Sequence, residues 1–160
     1  MRRMHRSLVR RIAPIVVIGL ALPLSATVSG AGSSSDDKMT ADTLEVQAKF
    51  IKLWNENKIE ECIKEVYTED AISVPPNHEP LRGHAEIIAY FKTARQSLGK
   101  LKEGLEPHRV KSSGNMTSLV PQYETEQPTV RVTAHEVYQR QSDGTVKLTH
   151  DMFGFRDPLQ

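Results

Sequence analysis

The sequence contains one cysteine, Cys62, and has no long apolar run. A single thiol permits no internal disulfide and no metal site built from several thiolates. The apolar stretch at residues 12–24 is interrupted by Pro14 and Pro23, and it is shorter than the roughly 20 residues that a membrane-spanning helix needs. We therefore expect a domain that is held together by its apolar core, without a stable membrane span.

Acidic residues are absent before Asp36, whereas five arginines lie within the first eleven residues. The basic segment, the apolar stretch and the small residues that follow have the order of a secretory signal peptide. We predict a signal peptide at residues 1–31 and a secreted or periplasmic location. A mitochondrial presequence is the alternative, because such segments are also poor in acidic residues.

Beyond residue 35 the chain has 16 basic and 20 acidic residues, which gives a formal net charge of −4. It has no stripe of lysine and arginine residues of the kind that binds phosphate backbones, so we expect no nucleic acid partner. Residues 32–39 are rich in Gly, Ser and Asp and are predicted to form a disordered lead-in. Residues 40–156 are long enough to form one domain with its own core.

Apolar residues at helical spacing predict three helices. The first begins with a capping box at Asp42 and ends near Asn55, the second carries the apolar stripe from Ile59 to Tyr67, and the third carries Ile87 to Leu98. Strands are predicted at residues 71–74, 105–111, 116–123, 130–141 and 146–155. Helices followed by a meander of strands indicate an α+β fold, in which N-terminal helices pack in a curved antiparallel sheet.

Several short motifs occur in a specific order: Trp54, the stretch from Val66 to Pro76, the turn Leu81-Arg-Gly83, and the segment from Tyr138 to Gly144. Together they resemble the SnoaL-like family of the nuclear-transport-factor-two-like superfamily, over about residues 40–155. The resemblance implies a cone-shaped, cystatin-like roll with a pocket between sheet and helices, usually in a homodimer. Members of the superfamily include isomerases, dehydratases and a kinase association domain, so the fold does not determine the chemistry.

The resemblance also allows a comparison with the ketosteroid isomerases of the same superfamily. Their general-base aspartate corresponds to Pro75 here, which cannot accept a proton, and their oxyanion tyrosine falls at or next to Phe50. Their second oxyanion acid falls near Glu136. The resemblance therefore disfavours the ketosteroid isomerase mechanism, although one acidic position survives.

The last two predicted strands carry the ionisable groups that are candidates for chemistry. If Asp143-Gly144 forms a two-residue hairpin turn, the ladder places Val137 opposite His150 and Glu136 opposite Asp151. Two carboxyl groups that face each other on a half-buried surface oppose each other's ionisation, which raises a pKa towards the range of a general base.

We predict Glu136, Asp151 and His150 as catalytic residues, with Tyr138 as a hydrogen-bond donor to the ligand. The alternative is that the carboxylates face solvent or pair with nearby basic residues, namely Arg131, Arg140 or Lys147.

Alternation along the strands puts His135 on the same face as His150, opposite to the face of the two carboxyl groups. We predict His135 as a ligand contact, with a purely structural histidine as the alternative. Two imidazoles without a third ligand make a poor metal site, so no metal is predicted. Trp54, Tyr67 and Phe91 are predicted to form the pocket wall or the core.

Asn115 begins the sequence Asn-Met-Thr on a predicted turn, which makes it a candidate glycosylation site in a eukaryotic secretory pathway.

Two functions remain open at this point. The first is the binding of a small apolar or aromatic molecule in the cone, with or without acid-base chemistry of the isomerase or dehydratase type that requires no cofactor. The second is a non-catalytic, homodimerising association module with a vestigial pocket. Pro75 and Phe50 favour the second, and the ionisable groups on the last two strands favour the first.

Overall fold

A computed structural model of the chain describes residues 33–102, 107, 109–126 and 130–156. The predicted signal peptide lies outside these residues. The first helix, α1 (Ser33–Asn55), includes residues 33–39, so the predicted disordered lead-in is helical instead. Two tertiary contacts explain the difference, since Met39 is fully buried in the core and the Gly114 amide donates a hydrogen bond to Asp36 Oδ1 at 3.0 Å.

The other two helices agree with the apolar periodicity. Helix α2 (Ile59–Val66) buries Ile59, Cys62, Ile63 and Val66 on one side, and helix α3 (Gly83–Leu98) buries Ile87 and Phe91. Cys62 is therefore a core residue, as its place in the stripe predicted.

Gly83 connects a short strand to the first turn of α3. Its φ of +69° lies in the left-handed region, and a Cβ atom at this position would lie 3.1 Å from the Glu69 carbonyl oxygen. Both features require glycine here.

The strands are β1 (Tyr67–Val74), β2 (Leu81–Arg82), β3 (Arg109–Ser113), β4 (Met116–Val120), β5 (Gln122–Glu124), β6 (Arg131–Arg140) and β7 (Val146–Arg156). The single strand predicted at residues 116–123 is divided into β4 and β5 at Pro121, which has no N–H to donate to a ladder. Both parts pair with β6.

The strands form one sheet in the order β2-β1-β7-β6-β4-β3, with β5 also paired to β6. Strand β1 runs parallel to β7, whereas all other paired strands are antiparallel. The α+β class is confirmed, but the sheet is mixed and not purely antiparallel. The chain returns to the centre of the sheet with its last strand, so β7 lies between β6 and β1.

The β6–β7 hairpin differs from the prediction at its turn. The Gln141 amide donates to the Thr145 carbonyl oxygen at 2.7 Å, which leaves a three-residue loop that ends in Gly144 with a φ of +87°. Further along, Thr149 is an extra residue in β7, because the pairing shifts register between Val137 and Tyr138. The loop is one residue longer than predicted, and the extra residue in β7 compensates for it, so the strands have the predicted register beyond the bulge.

As a result, the predicted pairs Glu136–Asp151 and Val137–His150 are confirmed. Between the bulge and the turn, Leu148 and Val146 are buried in the core, on the same face as Asp151, because the extra residue Thr149 interrupts the alternation of β7.

The core lies between the three helices and the concave face of the sheet. Its largest fully buried side chains include Tyr67, Tyr138, Met39, Ile63 and Ile87. No helix within the described ranges is long and apolar enough to cross a membrane.

Candidate functional site

Helices α1 and α3 and the concave face of the sheet line a partly open pocket, and the ≈490 Å³ of empty space beside the lining residues includes open solvent. Within it, the centre of a water-sized sphere can move through ≈50 Å³. One water needs roughly 10–15 Å³ by this measure, so the unliganded pocket is narrow and holds a few waters or part of a small ring. Phe155, one of the residues that line the pocket, is 45% exposed.

Most of the described residues that line the pocket are aromatic or aliphatic. Its two ionisable carboxyl groups are those of Glu136 and Asp151, which are 5% and 6% exposed. The aromatic side chains of the wall are Phe50, Trp54, Tyr67, Phe91, Tyr123, Phe153 and Phe155.

Two tyrosine hydroxyls engage Glu136, which projects from β6. Tyr123 donates to Oε1 at 2.9 Å and Tyr138 donates to Oε2 at 2.7 Å. Gln47 of α1 donates in turn to the Tyr123 hydroxyl oxygen at 3.5 Å. Both oxygens of Glu136 are therefore occupied by protein donors that come from two different strands.

Asp151, on β7, has a less complete shell of partners. Tyr67 donates to Oδ2 at 3.1 Å, but no described atom forms a hydrogen bond of ordinary geometry with Oδ1. Ser73 lies across the ladder from Asp151, and its hydroxyl lowers the pKa of the carboxyl group, yet Ser73 Oγ also lacks a hydrogen-bond partner. Asp151 Oδ1 and Ser73 Oγ are thus two buried polar atoms without a hydrogen-bond partner among the described residues, on a residue that lines the pocket and on its neighbour in the sheet.

Burial raises the pKa of Glu136 to about 7 and that of Asp151 to about 6. At Glu136 the hydrogen bonds from Tyr138 and Tyr123 oppose the rise, and the negative charge of Asp151 adds to it. At Asp151 the hydroxyls of Ser73 and Tyr67 oppose the rise. Both carboxyl groups therefore change protonation state near neutral pH, where a general acid or base is most effective.

The structure brings together most of the residues that the sequence predicted for the site. Glu136 and Asp151 face the pocket, and Trp54, Tyr67 and Phe91 line it. Tyr138 is fully buried behind Glu136, so its hydroxyl holds the carboxyl group and does not donate to a ligand directly.

The two histidines are not part of this site. His135 and His150 are exposed on the outer face of the sheet, where Ser118 Oγ lies 2.9 Å from His135 Nε2 and Thr149 Oγ1 lies 3.0 Å from His150 Nδ1. The prediction of His150 as catalytic and of His135 as a ligand contact is wrong for this pocket. Alternation had already separated them from the carboxyl groups, and the buried face proved to be that of the carboxyl groups.

Sequence reasoning missed Tyr123, Gln47, Phe153 and Phe155. Tyr123 alternates with the buried Pro121 and Thr125, and that pattern is a usable signal for an inward side chain. Gln47 gave no such signal, because its role depends on the contact between α1 and β5.

Phe50 lines the pocket and Pro75 is buried at the end of β1, so neither of these positions supplies a proton-transfer group. The carboxyl group of Asp151 comes instead from the strand beside β1.

Asn115 is exposed in the turn between β3 and β4, whereas Thr117 of the same sequon is buried against Thr43 and Ser112. Glycosylation at Asn115 stays a prediction. Within the described part of the chain, no group of three or more His, Cys, Asp or Glu side chains is arranged to hold a metal ion.

No protein-family model and no curated protein matches the sequence. Solved structures do match the fold. A ketosteroid isomerase-like protein from Erwinia carotovora atroseptica is 11% identical with a TM-score of 0.61, and the match covers 76% of this chain and 99% of that one. A candidate dehydratase of the nuclear-transport-factor-two-like family from Streptomyces avermitilis is 15% identical with a TM-score of 0.60, covering 74% and 96%.

A third match is a candidate association domain of calcium/calmodulin-dependent protein kinase type II from Thiobacillus denitrificans. It is 13% identical with a TM-score of 0.58, and the match covers 72% of this chain and 93% of that one. Identities this low establish the fold alone. The chain thus has the cone-shaped fold of nuclear-transport-factor-two-like proteins, as the sequence resemblance predicted, while membership of the SnoaL-like family stays a prediction.

Proposed function

We propose that the chain is an exported protein that binds a small apolar or aromatic molecule in its pocket and exchanges a proton with it through Asp151. The observation that carries the proposal is the carboxyl group of Asp151, which lines an aromatic pocket and whose buried oxygen Oδ1 has no hydrogen-bond partner among the described residues. A buried acceptor without a partner is costly, and a ligand donor at this position would remove that cost.

In the proposed mechanism, ionised Asp151 accepts a proton from the bound molecule. Tyr67 steadies the carboxylate through Oδ2, which leaves Oδ1 for the transfer. Glu136 is partly protonated near neutral pH, because its pKa is raised to about 7, so it can return a proton or donate a hydrogen bond. Such acid-base pairs perform isomerisation and dehydration without a cofactor, and two structural neighbours carry the names of these activities.

Export is the second part of the proposal. It depends on the basic, apolar and small-residue segments at residues 1–31, which have the order of a signal peptide, and a mitochondrial presequence remains the alternative. Amino-terminal sequencing of the protein from its own host tests it, since a mature chain that begins near Gly32 is expected.

Binding can be tested with a neutral probe, benzyl alcohol, by ligand-observed NMR. Ala94 and Ala89 lie on the same helix α3, but Ala94 lines the pocket and Ala89 is exposed outside it. Ala94→Phe should weaken binding of the probe at least severalfold because the new ring occupies the pocket, whereas Ala89→Phe should leave binding unchanged. Equal binding by both variants would place the probe elsewhere and contradict the proposal.

Proton transfer can be tested on the molecule that the protein retains from its host. Native mass spectrometry gives the mass of that molecule, and incubation in D2O shows whether a carbon-bound hydrogen exchanges. We expect exchange with the wild type and little with Asp151→Asn. Equal exchange in both proteins would remove Asp151 from the mechanism and leave binding alone.

A homodimerising association module remains the second candidate. Its specific support is the exposure of Met116 (45%) and Met152 (56%) on the outer face of the sheet. Light scattering of the wild type and Met152→Glu tests it: a dimer that the substitution dissociates would support it. A wild type that is monomeric at high protein concentration would contradict it.

A further inference from the structure

The charge distribution of the pocket is one-sided. Among the described residues that line it, two carry carboxyl groups and none is Lys, Arg or His. Basic side chains elsewhere in the described part of the chain pair with other acidic residues: Arg140 pairs with Asp42 and Lys102 pairs with Glu124 at the surface. Neither carboxyl group of the pocket therefore has a cationic partner in the described part of the chain.

The rest of the wall is aromatic, and its rings form one connected cluster. Phe91 lies at the centre, with ring centroids 5.9 Å from Trp54, 6.0 Å from Phe153, 6.2 Å from Tyr67 and 6.4 Å from Phe50. All four pairs are edge-to-face, so the faces of neighbouring rings point in different directions. Faces of aromatic rings attract organic cations, and cages of this kind bind quaternary and protonated amines.

The two features complement each other. Buried carboxylates are expensive to keep ionised without a counter-charge. Tyrosine donors partly meet this need at Glu136, where both oxygens are held, but at Asp151 the oxygen Oδ1 remains without a partner. A positive charge brought in by the ligand would supply the missing partner, while its apolar part would lie against the rings.

We propose that the ligand of this pocket is a small organic cation, a protonated or quaternary amine with an apolar or aromatic body, which the aromatic wall and the carboxyl groups of Asp151 and Glu136 recognise together. This inference rests on the proposed function, because it specifies the class of molecule that the same pocket binds. It excludes carboxylates and phosphates as ligands, since the pocket would repel them.

The proposal implies a definite pH dependence. A cation favours the ionised carboxyl groups, so its affinity should rise as the pH increases through the raised pKa values of Asp151 and Glu136. The other titratable groups that face them are Tyr67, Tyr123 and Tyr138, whose pKa values burial raises well above the ordinary value. The three tyrosines therefore stay neutral in this range, as does Cys62 beside Tyr67, whose pKa is raised to about 12.

Three probes that differ mainly in charge test the proposal: benzylammonium, benzyl alcohol and benzoate, titrated by calorimetry or NMR at pH 8. We expect benzylammonium to bind roughly tenfold or more tightly than benzyl alcohol, and benzoate not to bind. Between pH 5 and pH 8 the affinity for benzylammonium should rise about tenfold, while that for benzyl alcohol stays constant.

Variants assign the effect to the carboxyl groups. Asp151→Asn and Glu136→Gln should each reduce the preference for the cation over the alcohol severalfold, and circular dichroism with thermal denaturation shows whether each variant is folded. Ala94→Phe should weaken both probes alike.

The outcomes separate the two proposals. If benzyl alcohol binds in the pocket as tightly as benzylammonium, or more tightly, the ligand is not a cation, and the proposed binding function stands without this inference. If none of the three probes binds, both proposals fail. A preference for benzylammonium that survives in both variants would trace to another surface and would also overturn the inference.

Discussion

Asp151 lies directly opposite Glu136 in the ladder between β7 and β6, yet the protein satisfies the two carboxyl groups unequally. Glu136 receives a hydroxyl on each oxygen, whereas Asp151 receives one from Tyr67 on Oδ2. Glu136 is thus held by donors at both oxygens, whereas Asp151 Oδ1 is buried without a hydrogen-bond partner among the described residues. This asymmetry divides their roles in the proposed proton transfer.

Replacing Glu136 should change how stability depends on pH. The folded-state pKa of about 7 exceeds the ordinary value of 4.5, so the folded state holds a proton that the unfolded state releases. The stability from this group is present below pH 4.5 and is lost as the pH rises through 7. Relative to Glu136→Gln, the wild type should lose on the order of 2–3 kcal/mol of unfolding free energy across this range. Urea denaturation at a series of pH values measures the difference.

Replacing Asp151 with Asn should also change how stability depends on pH, but over a lower pH range. The pKa of Asp151 is raised from 3.8 to about 6. The wild type should therefore lose unfolding free energy relative to the variant as the pH rises, and this loss should be nearly complete by pH 6 to 7. A pH-independent difference for both variants, or a difference that grows in the opposite direction, would mean that the carboxyl groups are not buried as described.

The hydroxyl of Tyr138 should stabilise the ionised form of Glu136. Tyr138→Phe removes the 2.7 Å hydrogen bond to Oε2, so the pKa of Glu136 should rise further and the free energy of unfolding should fall by about 1–2 kcal/mol. Carboxyl-carbon NMR measures the first effect and denaturation the second. Tyr90→Phe serves as the control, because Tyr90 packs on Phe153 and Phe91 without lining the pocket. An unchanged Glu136 pKa in Tyr138→Phe would contradict the assignment.

Gly83 should tolerate no side chain. Gly83→Ala forces a left-handed backbone on alanine and brings its Cβ to 3.1 Å from the Glu69 carbonyl oxygen, so we expect a loss of about 1–2 kcal/mol. Gly154→Ala is the matched control, because a Cβ at that position meets nothing within 4 Å, and it should change stability by about 0.5 kcal/mol or less. Thermal denaturation of both variants measures the contrast, and equal losses would refute this role for Gly83.

The thiol of Cys62 should be inert while the chain is folded. Burial raises its pKa to about 12, and the negative charges of Glu65 and Glu61 add to the rise. A thiol-specific reagent at pH 8 should therefore label Cys62 only at the rate of unfolding, and immediately in denaturant. Rapid stoichiometric labelling of the native protein would show instead that α2 opens readily.

Local patterns predicted the parts of this fold in which one face is buried. The prediction of an apolar stripe on α2 was correct, because its four buried residues pack on the same side of the helix: Ile59, Cys62, Ile63 and Val66. The predicted start of α1 was too late, because residues 33–39 belong to the helix and make contacts with distant residues, such as the one between Asp36 and Gly114. Propensity does not contain that information.

The candidate site shows the same division. Alternation grouped Glu136 with Asp151 and separated them from the histidines, but it did not show which group faces inward. That choice depends on the helices, whose aromatic side chains cover the carboxyl face. The network that joins Gln47, Tyr123 and Glu136 unites three elements distant in sequence, and spacing rules cannot detect such a network.

The extra residue at Thr149 isolates the pocket from the tip of its own hairpin. Since strand register can shift at the bulge, a change of one residue in the loop from Ser142 to Gly144 can be absorbed there, with no effect on which residue faces Glu136. The tip is therefore a site where sequence length can vary, or a label can be inserted, while the carboxyl pair keeps its geometry.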